Sequence, residues 1–216
     1  LFLKDNFAVD SVAITSTGKN YLTPPDFVVY NSKTDTVNEN AEFEAELIGG
    51  SVTNVKVIFA GGNLSSGDVE LFPVNNSNGV GIISATYSEP NVTLRLQTPL
   101  TGFSTAVPLP FNKGDKVFVE NLGVSTGNGY NSADFGYQLF TLTGVNTAFG
   151  NVNQATLTYE VDRDPGIHDL AKYGVVVKDQ DLAKFKVNLI ESTFLNGEPV
   201  VSSSGNEAKV INQLIF

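Results

Sequence analysis

Strict alternation of apolar and polar residues is the feature that most limits what this chain can fold into. Ala41-Glu42-Phe43-Glu44-Ala45-Glu46-Leu47 changes character at every step. That is the two-residue period of a strand with one face buried and one face wet. Shorter β-branched runs bounded by Gly or Pro recur at 52–59, 92–96, 116–119, 155–161 and 174–177, and each is predicted to be a strand. Turn chemistry is dense between them, at Pro24-Pro25, Gly49-Gly50, Gly61-Gly62, Asn75-Asn76, Asn128-Gly129 and Asn196-Gly197. A helix is signalled only over 164–173, with Asp164 placed as N-cap, Pro165 in the first turn and Gly174 just past the end. The expected fold is all-β: two β-sandwich or barrel-like modules with one short helix. Their expected bounds are 1–103 and 104–216, because Thr98-Pro99-Leu100-Thr101-Gly102 and Pro108-Leu109-Pro110 break the chain between them.

Internal echoes support a modular reading. Val12-x-Ile14-x-x-x-Gly18-x-Asn20-Tyr21 returns as Val55-x-Val57-x-x-x-Gly61-x-Asn63-Leu64, and Val52-Thr53 returns as Val92-Thr93. Both offsets are near 40 residues, which suggests tandem β units in the first module. A second pattern, Phe-x-x-Gly-acid-x-Val, joins Phe111–Val117 to Phe194–Val200. Gly114 and Gly197 then sit where a tight turn needs positive φ.

Composition closes off several chemistries. The chain has 216 residues, a formal net charge of −10, one His and no Cys. Thiol catalysis, disulfides and thiolate metal sites are excluded. The acidic balance argues against a nucleic-acid surface, which requires clustered Lys and Arg. No apolar run approaches the about 20 residues of a membrane helix. His168 lies in Asp162-Arg163-Asp164-Pro165-Gly166-Ile167-His168-Asp169 with no Gly-x-Ser-x-Gly elbow anywhere to pair it with a nucleophile. The same acids lack the spacing and terminal Glu of an EF-hand calcium loop. No phosphate-binding Gly-rich motif follows a strand. The sequons at Asn63, Asn75 and Asn91 are what an Asn/Ser/Thr-rich chain produces by composition. No catalytic residue, cofactor or metal is therefore expected.

What remains points to contacts. Residues 61–160 carry only 3 basic and 7 acidic side chains, and charge is depleted in the cores of protein interfaces. Four aromatics gather between Tyr130 and Phe140. Tyr130 and Tyr137 could form a binding shelf there, while Phe135, Leu139 and Phe140 are expected in the core. The absence of Met and the apolar ends, Leu1-Phe2-Leu3 and Val210 to Phe216, suggest a piece of a longer polypeptide.

The stretch Val12 to Pro25, with Gly18, Tyr21, Pro24 and Pro25, followed by the alternating Ala41–Leu47 and by Gly49-Gly50-Ser51-Val52 to Val57, resembles a module of virion proteins from contractile-tailed marine cyanophages. The segment 110–137 also resembles parts of their large baseplate or tail proteins. The resemblance implies a non-enzymatic structural role in a tailed-phage virion, in a tail or baseplate, assembled in the host cytoplasm, where the lack of Cys is no handicap. The implied partners are other virion subunits in a homo- or hetero-oligomeric assembly, with no nucleic acid and no membrane. A host-surface or glycan-binding module of a tail fibre or adhesin is the alternative. Within the motif, Pro24-Pro25 is expected to form a stiff corner with the Tyr21 ring packed under it.

Overall fold

A computed structural model describes residues 7–38, 40–62, 64, 69–97, 109–122, 131–146, 155–163, 174–191, 199–201 and 207–209. The protein is all-β. Among the described residues the helical turns are two 3₁₀ turns, Ala133–Phe135 and Asp179–Asp181. The helix expected at 164–173 lies outside the described residues.

The chain divides into two units. Unit 1 comprises residues 1–74 and 183–216, and unit 2 comprises residues 75–182. The boundary expected at 103/104 is therefore replaced by crossings at 74/75 and 182/183. The strands before and after that stretch build one core. Unit 2 is an insertion within unit 1, and its own ends are tied: Asn78 Nδ2 donates to the Asp181 carbonyl at 2.8 Å.

Unit 1 contains β1 (Phe7–Thr17), β2 (Asp26–Asn31), β3 (Thr36–Asn38), β4 (Ala41–Ile48), β5 (Ser51–Ala60) and β6 (Val69–Val74). After the insertion, β13 (Ala183–Glu191) pairs antiparallel with β1. The backbone also pairs β14 (Pro199–Val201) with β15 (Glu207–Lys209). β4 pairs with β5, and β2 with β3 and β6. Three close approaches without a ladder, β5 along β1, β6 along β13 and β2 along β4, complete a ring. Its order is β1-β13-β6-β2-β4-β5. Alternation does what the sequence implied. Phe43, Ala45 and Leu47 turn inward with Val12, Ile14, Val52, Val55 and Phe185, while Glu42, Glu44 and Glu46 stay exposed. Glu44 lies opposite Lys56 in the register. Phe27 meets Phe43 and Phe185 edge-on, at 5.9 and 5.3 Å between ring centroids.

Unit 2 is a closed barrel of six strands in the order β10-β11-β8-β7-β12-β9. They are β7 (Val80–Ser88), β8 (Asn91–Leu96), β9 (Lys116–Glu120), β10 (Phe140–Asn146), β11 (Thr156–Glu160) and β12 (Val175–Lys178). Ile82, Leu94, Leu96, Leu142, Leu157 and Tyr159 fill it, with Phe140 stacked on Tyr159 at 4.3 Å. Closure leaves no unpaired barrel edge.

The two rings have the same cyclic order once the chain is shifted by two strands. β4, β5, β6, β13, β1 and β2 of unit 1 take the places of β7, β8, β9, β10, β11 and β12 of unit 2. Under this correspondence Ala45 matches Ala85 and Val52 matches Val92, all four buried. The Val52/Val92 echo thus falls at equivalent places. The Val12/Val55 echo does not, because β1 and β5 are neighbours in one ring.

Candidate functional site

The residues Gly18, Tyr21, Pro25, Gly49 and Gly50 converge at one end of unit 1. β4 and β5 are joined by a two-residue loop, with Ile48 paired to Ser51 and with φ of 59° and 78° at Gly49 and Gly50. Two successive positive φ values define the tight hairpin that matches strand twist, and glycine adopts them without a Cβ penalty. The Gly50 carbonyl accepts the Tyr21 N–H at 2.9 Å. Ser51 Oγ donates to the Gly18 carbonyl at 3.1 Å. Tyr21 is 4% exposed, and its hydroxyl accepts the Ala183 N–H at 3.1 Å. Pro25 is buried and Pro24 is exposed. The loop after β1 and the β4–β5 hairpin are thereby latched together over a buried ring.

Tightness at Gly50 gives an expected result. A Cβ there would stand 3.3 Å from the Tyr21 carbonyl oxygen, on a left-handed backbone. Gly50→Ala should cost about 1–2 kcal/mol, the usual penalty for an L residue in that conformation. Chemical denaturation measures it, and an unchanged midpoint would show that the hairpin relaxes freely.

The latch also carries two side chains that hydrophobic patterning would place inside. Leu22 is 83% exposed and Ile48 is 73% exposed. Sequence reasoning missed both. Ile48 ends an alternating run, on the parity of the exposed glutamates Glu42, Glu44 and Glu46, and that parity was the available signal.

In unit 2, Gly114 has a φ of 92° in the turn before β9. Its N–H donates to the Leu142 carbonyl at 2.8 Å, with Phe111 and Val117 buried on either side. Asp115 caps this turn, accepting from the Asn112 N–H at 2.7 Å and pairing with Lys178 at 2.8 Å. The Lys178 ammonium holds the Asp115 carboxyl below its ordinary range, with the Asn112 bond helping. Gly197, Tyr130 and His168 lie outside the described residues.

The aromatic segment separates, while Leu139, expected in the core with Phe135 and Phe140, is only partly buried. Phe135 and Phe140 join the barrel core, 5.5 Å apart and edge-on. Tyr137 is half-buried at a φ of 56°, uncommon for an aromatic residue. Burial, then the Asp134 charge, pushes its phenol up. A shallow recess of about 280 Å³ is lined by Gln138, Leu139, Phe140, Thr141, Thr143, Glu160 and Asp162, and Tyr137 is not part of its lining. That volume is just below the roughly 300–1,000 Å³ of ordinary small-molecule pockets. Arg163 is directed elsewhere: it lies 5.0 Å over the Phe135 ring and donates to the Asp134 carbonyl.

Glu120 was not singled out by the sequence. It is 7% exposed and accepts the Asn76 N–H at 2.6 Å, the Asn75 N–H at 3.1 Å and the Asn76 Nδ2 at 3.3 Å. It thus caps the two residues with which unit 2 begins. Among the described residues no group of three or more His, Asp or Glu gathers to hold a metal, and no helix is long and apolar enough to cross a membrane. Compared with family models, curated proteins and solved structures, the chain has no significant match.

Proposed function

We propose that the chain is a non-enzymatic structural component of a multi-subunit particle, in the tail or baseplate of a tailed phage, acting through protein–protein contacts. The observation that carries this reading is the latched end of unit 1. Its hydrogen bonds fix two loops, and two large apolar side chains project from them into solvent. A rigid projection with exposed apolar tips suits docking, because little conformational entropy is lost on binding. The motif that resembles cyanophage virion modules is the motif that builds this latch. The sparse charge of residues 61–160 is in keeping with burial against a partner.

Mass spectrometry of purified particles tests the proposal, together with glycan turnover by the isolated chain. Peptides of the chain should be found at fixed stoichiometry in the particle, with no turnover. Absence from the particle, or turnover abolished by a single Asp or Glu replacement, would overturn it.

The recess lined by Gln138 and Thr141 favours a second reading, a host-surface or glycan-binding module. The hydroxyls of Thr141 and Thr143, the Gln138 amide and the Glu160 and Asp162 carboxylates offer the mixed donors and acceptors that a sugar ring needs. Glycan-array binding lost on Gln138→Ala and Thr141→Ala would move the assignment to that reading.

A further inference from the structure

We infer that the two units are permuted copies of one six-stranded ring, and that the unit 1 tip, where the copies differ, seats in an apolar socket on a neighbouring protein subunit.

The copy relation rests on more than strand order. In unit 1 the Tyr21 N–H, four residues beyond β1, donates to the carbonyl of Gly50, the second residue of the β4–β5 loop. In unit 2 the Val161 N–H, just beyond β11, donates to the carbonyl of Pro90 at 3.0 Å. Pro90 is the second residue of the equivalent two-residue loop, in which Ser88 pairs with Asn91. Tyr21 and Val161 are both buried beneath their latches, at 4% and 6% exposure. The same bond therefore recurs at the same place in the same cyclic order.

That equivalence makes unit 2 an internal control for what the fold requires. Tyr21 matches Val161 and Gly50 matches Pro90, so Leu22 matches Asp162 and Ile48 matches Ser88. Asp162 and Ser88 are exposed and polar. The latch therefore closes with polar residues at both positions, and Leu22 and Ile48 are not demanded by it. Two large apolar side chains held in water against no folding need are explained by something that covers them.

The chemistry around the tip selects the occupant. Thr23, Pro24 and Gly49 add no charge beside Leu22 and Ile48, as in the centre of a protein interface. A lipid surface fits less well. Anionic leaflets attract basic clusters, whereas this chain carries a net charge of −10 and the tip is flanked in sequence by a single basic residue, Lys19, against Asp26 and Glu46.

This inference rests on the assembly reading above, and the experiment separates the two. Particles are assembled by complementation with wild-type chain or with the Leu22→Asp/Ile48→Ser double variant, which installs the residues of unit 2. The thermal unfolding midpoint of the variant should match wild type, while its copy number per particle, counted by mass spectrometry, falls about tenfold or more, as for loss of a contact hot spot. The reciprocal Ser88→Ile/Asp162→Leu variant should also fold normally, and its unfolding would refute the equivalence of the latches. A folded double variant that incorporates at the wild-type level overturns the tip as the contact while leaving the assembly reading intact. Wild-type chain absent from particles overturns both. Wild-type binding to phosphatidylcholine/phosphatidylserine vesicles, lost in the double variant, would replace the protein socket by a lipid surface.

Discussion

Tyr21→Ala is expected to be the most damaging single replacement in unit 1, costing about 3–5 kcal/mol for the buried ring alone. The ring packs with Ala45, Val52, Val55 and Ala183, and truncation would leave a cavity among them. A further cost comes from the hydroxyl. It accepts the buried Ala183 N–H, and a buried donor without a partner costs about 1–3 kcal/mol. Tyr21→Phe separates the two contributions, because it keeps the ring and deletes only the acceptor. It should therefore show only the about 1–3 kcal/mol of the unpaired amide. Urea denaturation gives the magnitudes. Hydrogen exchange should locate the loss in β1, β4, β5 and β13 and spare the barrel. A loss below about 1 kcal/mol for Tyr21→Ala would contradict burial of the ring.

Glu120→Ala should be comparably severe in unit 2. It would strip the acceptor from two backbone N–H groups and one side-chain amide at a buried site. A buried donor left without a partner costs about 1–3 kcal/mol, and several are orphaned here together. Glu120→Gln should cost less, because one carbonyl acceptor survives and the buried charge is removed. The same residue makes stability depend on pH. Burial raises its carboxyl above the ordinary glutamate value, outweighing the three donors that favour the carboxylate. The folded state therefore binds this proton more readily than the unfolded chain does. The stabilisation from that proton is complete below the unfolded pKa and is lost as pH rises through the raised folded pKa. The gap in unfolding free energy between wild type and Glu120→Gln should shrink as pH rises through that window. A gap that stays constant with pH would show a carboxyl with an ordinary pKa.

Much of the secondary structure was legible because strand periodicity is local. β4, β8 and β11 bury alternate side chains and so announced themselves by the spacing of Ala, Val and Leu. The Gly49-Gly50 loop was equally plain, since two adjacent glycines between strands favour a positive-φ turn. The Gly18-to-Pro25 motif was legible as a motif, but its role as half of a latch was not. That role depends on Gly50, which lies in another loop.

Which strands share a core is settled by contacts between residues far apart in the chain. β13 returns to β1 across the whole of unit 2, and nothing in Ala183–Glu191 differs in period from a barrel strand. The boundary expected at 103/104 missed this because Pro and Gly mark where a strand stops, and a strand can stop within a core, as the barrel strands on either side of that stretch do. The insertion is possible because β6, which the chain leaves, and β13, where it returns, lie side by side. Glu120 was hidden for a similar reason: a glutamate ending a strand looks solvated until donors more than 40 residues away are folded onto it. Leu22 and Ile48 are the converse case, apolar by composition but exposed by position. A sequence determines which side chains prefer to leave water. Only the closed rings determine which of them can.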